Sequence, residues 1–319
     1  MRPSYLLTFV IAAASYGQDA SLGTPALGFA FDESAQAIRM IRGLPGAALV
    51  EDPVDAGFPI RSAVVSSRRN FAIVTADDSS VRLLRFQNGG VAAEVLDGAM
   101  PAPERMLSSS GGHAALLYRA GRLQSVSGLP GRPVLRDWNP PSLSGPLTVM
   151  TISDDAELAV VASGGEIWLL SSDGTAASLS LPASTSAVAF HDSRRELLAL
   201  DSNGDVYWTR DVHANAQYRV FPAAGAPDGA AVRFSPDGAR AYTAAVSGAL
   251  AVIDLQTGDA TQVSCGCRAE SLDPMGLENV FRLTPVADTV LMLFDTSKLE
   301  PRVWFVPRGN GRFLPGGVR

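Results

Sequence analysis

Cys265 and Cys267 are the only cysteines of the chain, one residue apart in the segment CGCRAESLDPMGLE (Cys265 to Glu278). A thiol pair at this spacing has three outlets: a small disulfide ring, two free thiols, or redox and metal chemistry. Two thiolates with no His beside them do not complete a zinc site. In an oxidising compartment the expected state is a disulfide that clamps the loop, and strain in so small a ring would make it easier to reduce. His113, His191 and His213 are the other candidates for base or ligand. His113 opens an apolar strand, His191 and His213 fall in turns, and none has the spacing of a metal pair. No GxSxG nucleophile turn, phosphate loop or haem-attachment motif is present. No catalytic residue, metal ligand or cofactor is therefore assigned.

Acidic side chains offer a weaker signal. Residues 139–228 hold 4 basic and 11 acidic residues, whereas the flanking segments 18–138 and 229–319 are balanced at 12 of each and 9 of each. The net charge of −6 thus comes from one arc, containing Asp154, Asp155, Glu157, Asp192, Glu196, Asp201, Asp205 and Asp211. Such an arc repels nucleic acid and suits a solvated edge, a basic partner or a divalent cation. DSNGD (Asp201 to Asp205) is similar to the start of a calcium loop but lacks the bidentate acid that closes one. SSDGT (Ser171 to Thr175) reads as a turn.

These residues must be held by short strands. Gly and Pro number 30 and 21, hydrophobic residues make up 46%, and charged residues only 18%, a mix that favours strands joined by many turns. The tetrapeptide GLPG occurs at Gly43–Gly46 and again at Gly128–Gly131. Turns between these two and beyond them continue the interval at Gly46, Gly90, Gly131, Gly174, Asn215, Gly258 and Gly309, in steps of 41 to 51 residues. Each follows an alternating strand such as VRLLRF, EIWLLS or LAVIDL, and each of those follows a more continuous apolar run such as FAIVTA or LAVVAS. Continuous runs suit strands covered on both faces. A strand-only period near 43 residues predicts a seven-bladed β-propeller of four-stranded antiparallel blades over residues 18–319. The N-terminal unit shows three strands, because GLPG aligns it to the end of a blade. The ring is accordingly expected to close by pairing of N- and C-terminal strands, with the tail GRFLPGGVR (Gly311 to Arg319) near the first unit.

The segment FSPDGARAYTAAVSGALAVIDLQTG (Phe234 to Gly258) resembles the repeat of bacterial exported propellers of the YVTN and Tol-translocation-protein types, and more distantly WD repeats. The other units match by spacing and pattern, and the His and Trp-Asp signatures of WD repeats are absent. The resemblance implies an exported, non-enzymatic scaffold that binds a ligand or another envelope or extracellular protein. The alternative it implies is a propeller hydrolase or lactonase with a carboxylate-bound divalent metal in the central channel. Binding is expected at the face carrying the inter-blade connections, with Trp138, Asn139, Asp273 and Met275 near its centre; the other reading of Trp138 is a ring packed between two blades.

Arg2, the apolar run Leu6 to Ala14 and the small residues of SYG (Ser15 to Gly17) form an export signal over residues 1–17, with an uncleaved anchor as the alternative. No later stretch is apolar for long enough to span a bilayer. The mature chain is expected to be a monomer in the periplasm or outside the cell, with no nucleic-acid partner and no transmembrane segment. Mass spectrometry of the protein from its native cells should find Gln18 as the first residue; an intact Met1 would refute the cleavage.

Overall fold

In a computed structural model the chain is described over residues 26–309, apart from residues 88–89, 144, 193, 214, 277–278 and 287–289. Residues 1–17, expected to form an export signal, and the tail from Gly311 lie outside the described residues. Every regular element is a β-strand, arranged as seven antiparallel sheets, each built from neighbouring strands in chain order. The first sheet comprises β1 (Ala26–Asp32), β2 (Ala37–Leu44) and β3 (Ala47–Pro53). The six that follow have four strands each, and their innermost strands are Ile60–Val65, Arg105–Ser108, Leu147–Ile152, Thr185–Phe190, Gly229–Phe234 and Asp273–Pro274. The chain is a seven-bladed β-propeller.

Sequence pattern sets the radial order of the strands. Second strands such as Phe71–Ala76 and Leu158–Ser163 are buried along their whole length, because a neighbouring blade covers each face. Outermost strands such as Ala260–Ser264 are mostly exposed, here with Thr261, Gln262 and Ser264 facing water. The buried apolar side chains fall into seven clusters, and each cluster joins one blade to the next. Phe71, Ile73 and Leu83 of blade 2 meet Ala115, Leu117 and Val126 of blade 3, and Leu198, Trp208 and Phe221 of blade 5 meet Val232, Ala241 and Ile253 of blade 6.

The same packing joins the last blade to the first: Leu27, Ile41 and Val50 share a cluster with Val280, Leu293 and Val306. Backbone pairing reinforces this seam. The strand Arg302–Val306 runs on to pair parallel with β3, where Val50 N–H donates to Pro307 O at 3.1 Å and Gly309 N–H donates to Val50 O at 2.9 Å. Asp32, fully buried at the end of β1, accepts from Arg39 Nε at 2.6 Å and from Arg308 at 3.4 Å. Burial raises its pKa, but hydrogen bonds from Ser34, Arg39 and Ala35 and the charge of Arg39 outweigh that and hold it below the usual carboxylate range.

β1, β2 and β3 correspond to the second, third and fourth strands of the other blades. Two hydrogen bonds place them. Gln36, in the β1–β2 turn, accepts from Ile60 N–H, as Ser202 in the turn between the second and third strands of blade 5 accepts from Asp228 N–H. Both GLPG turns thus join a third strand to a fourth. Among the described residues β1 pairs with β2 alone, and a cavity of about 240 Å³ lies on its axial side between the inner strands of blades 2 and 7.

The turn from first to second strand repeats in four blades. Arg69, Gly112, Ala156 and Gly238 each donate N–H to a Ser carbonyl three residues back (Ser66, Ser109, Ser153 and Ser235) and each has a φ between 54° and 73°. Ser235 and Ser153 hydroxyls further bind Asp237 and Asp155, whose carboxylates accept from Ala239 and Glu157 N–H. A left-handed backbone opposes any Cβ, and at Gly238 a Cβ would also stand 2.9 Å from both His191 Nε2 and Arg194 Nη1. Gly174, at φ 92° in another turn, has nothing within 4 Å of that position. Gly238→Ala should therefore cost about 2 kcal/mol of folding stability and Gly174→Ala about 1 kcal/mol. Urea unfolding of the two variants checks the order, and equal costs would refute it.

Candidate functional site

The inner strands of six blades surround an axial passage that widens at each end. At the face of the first-to-second-strand turns lies a cavity of about 420 Å³, walled by the turns of blades 2 to 7. Near the opposite face a second cavity of about 230 Å³ is lined by Arg105, Thr151, Glu270 and Asp273. Ser110 and Arg233 line both, so they stand at the waist of the passage.

The polar side chains of the larger cavity are mostly held by neighbours. Arg68 Nη1 lies 2.9 Å from His113 Nε2 and donates to the ring. Asp154 accepts Gly111 N–H on both oxygens, at 3.0 and 3.1 Å. Burial pushes its carboxyl above the usual range; Ser109, Gly111 and His113 oppose that, and the charge of Asp192 adds to it. Asp192 Oδ1 lies 2.9 Å from His191 Nδ1. The hydroxyls of Ser67 and Ser110 donate to the carbonyls of Ser110 at 2.9 Å and Phe190 at 2.6 Å, tying three blades together at the rim. Arg233 differs. Burial pushes its guanidinium below its usual pKa against the charges of Asp273 and Asp154, and among the described residues no hydrogen bond or ion pair reaches it.

The residues expected to bind do not form one surface. Trp138 is 6% exposed and packs with Leu116, Leu123, Met150 and Leu170 between blades 3 and 4, and Asn139 lies beside it. Asp273 and Met275 are instead on the axis: Asp273 bonds Arg282, and Met275 lines the large cavity. The segment Cys265 to Glu278 is thus not a single inter-blade connection, because Asp273–Pro274 is the inner strand of blade 7. Two residues, one of them Pro, are too short to show alternation. The axial cavity also opens on the face of the plain hairpin turns rather than on the face of the connections.

Cys265 and Cys267 form a disulfide, with sulfurs 2.00 Å apart. It rests against the turn at Gly248, whose carbonyl accepts Cys265 N–H at 2.9 Å and where a Cβ would come within 2.2 Å of Cys267 O. His113 lines the axial site and His191 is buried behind its Asp192, while His213 lies by a separate outer recess with Trp208 and Arg219. In the acidic arc, Asp201 accepts Asn203 and Asp205 N–H, and Asp173 of SSDGT accepts Thr175 N–H and hydroxyl. Both segments are turns stabilised by their own carboxylates. Among the described residues no three His, Cys, Asp or Glu side chains are grouped as a metal site would need.

Arg233 was legible in one way only. Two residues before the turn that ends the inner strand, blades 2 to 5 carry Val64, Leu107, Thr151 and Ala189, and blade 7 carries Asp273. A charge at this position, as in blades 6 and 7, marks the axis, but only once the register is known.

The fold and its axial cavity define the class, a seven-bladed propeller with a polar passage. No family model matches the chain, and no curated protein sequence matches it. Among solved structures, a functionally unknown protein from Desulfotomaculum acetoxidans DSM 771 is similar, with a TM-score of 0.58 and 12% identity over 88% of this chain and 100% of that one. At that identity the likeness concerns the fold.

Asp154 supplies a pH test. A carboxyl whose folded pKa is raised contributes most below its unfolded pKa, and that contribution is lost as pH climbs through the folded value. His113, Asp192 and Arg233 are the charged groups around it. Asp154→Asn keeps an acceptor for Gly111 without the charge, so its stability relative to the parent should be higher at pH 7 than at pH 3.5 in urea unfolding. A difference independent of pH would refute the assignment.

Proposed function

We propose that this is an exported, non-enzymatic bacterial propeller of the YVTN or Tol-translocation type that acts as a binding scaffold in the cell envelope or outside the cell. The observation that carries the reading is the convergence of six inner hairpin turns on one cavity. Its rim presents exposed Arg68, His113, Asp192 and Pro236, and its polar groups are engaged in holding turns rather than in activating a nucleophile. Binding sites on rigid scaffolds gather where turns from several elements meet. The segment Phe234 to Gly258 supports the repeat type, and the N-terminal sequence with the paired cysteines supports export. The partner is another envelope or extracellular protein that meets the rim.

Capture from the native envelope fraction tests this. Arg68→Glu combined with Pro236→Glu should abolish recovery of the partner, while Asn139→Lys, away from the axis, should leave it unchanged. Retention by the rim variant would show that the surface lies elsewhere.

A further inference from the structure

Among the described residues, every charged side chain lining the axial passage is bonded to a neighbour except one. Arg68 is bonded to His113, Asp154 to the Gly111 backbone, Asp192 to His191 and Asp273 to Arg282. Arg233 projects from the inner strand of blade 6 to the waist between the two cavities and bonds to none of them. A guanidinium presents five N–H donors in a fixed fork and does not give up its proton. Arg233 is partly exposed to the passage, so its donors face the cavity, where an arriving acceptor can take the place of water.

A second donor faces the same space. Asn279 lines the cavity, and its Oδ1 is held by the Tyr242 hydroxyl at 2.9 Å, so the amide NH₂ is the group left to donate. Phe190, Phe234, Met275 and Phe281 supply apolar floor and wall. At about 420 Å³ the cavity is in the range that encloses small organic molecules.

We infer that the axial cavity takes a small organic oxyanion, a carboxylate or phosphate monoester with a compact apolar body, whose oxygens are held by Arg233 and Asn279. This rests on reading the axial cavity as a binding site and names the chemistry that it selects. The body lies against the phenylalanines, and the oxyanion meets the fork at the waist, where two parallel N–H···O bonds can form.

Isothermal titration of the full chain with benzoate, phenyl phosphate and neutral benzamide tests it. Saturable binding of one or both anions is expected, benzoate alone marking a carboxylate site and phenyl phosphate alone a phosphate site, with benzamide at least tenfold weaker. Arg233→Met should weaken the anion at least tenfold, and without ligand it should melt close to the parent, since no hydrogen bond or ion pair is lost with it. If that variant does not fold, Arg233→Lys and Asn279→Ala carry the test, each with weaker anion binding. Absence of binding by both anions, benzamide binding as well as benzoate, or unchanged affinity in the variants would overturn the inference. Partner capture is scored separately: capture intact with no anion bound defeats the inference alone, whereas rim variants that still capture the partner defeat the scaffold reading.

Discussion

No blade of this protein can bury its own two faces, and everything else follows from that constraint. A single antiparallel sheet of four short strands leaves apolar side chains in water on both sides, at about 25 cal/mol for each Å² left uncovered. Each apolar cluster here is shared between adjacent blades, so a blade gains its core only from its neighbours. A row of such sheets would end in two bare faces. Closing the row into a ring removes both, and the Leu27, Ile41 and Val50 face meeting Val280, Leu293 and Val306 is where that happens.

The seam is held by polar as well as apolar contacts. Asp32 receives Arg308 from the far end of the chain while its own Arg39 and turn backbone satisfy the rest of its oxygens. The parallel bridge at Val50 adds backbone pairing at the perimeter. Contacts that join residues nearly 280 positions apart cost the most loop-closure entropy, and they gain it back only when all seven blades are in place. Cooperativity of the whole ring is the physical consequence.

Ring geometry also builds the site. Six inner strands converging on an axis leave a passage rather than a packed centre, and side chains that would point to solvent in an isolated sheet point instead at one another. Serine at the inner hairpin turn of four blades, joined by aspartate in two of them, first serves the turn itself, by capping backbone N–H groups. Their convergence from different blades then makes a polar rim, and Arg233 on one inner strand faces the passage with no hydrogen-bond partner among the described residues.

Much of the fold was legible in the chain. Period, turn residues and the contrast between continuous and alternating strands gave seven blades and the three-strand N-terminal unit, because these are local or near-local properties of a repeating pattern. The spacing of Cys265 and Cys267 made a disulfide the expected state, with free thiols and redox or metal chemistry left open by the residues themselves. The axial site was not legible. Trp138 and Asn139 were as prominent in sequence as Asp273 and Met275, yet one pair lies between blades and the other on the axis, since radial position depends on how sheets pack. Arg233 carries no motif at all. The sequence by itself determined which segments are strands and how often they recur, for periodicity is written residue by residue; which of their side chains meet, and which is left unpaired in the passage, was decided only by closing the ring.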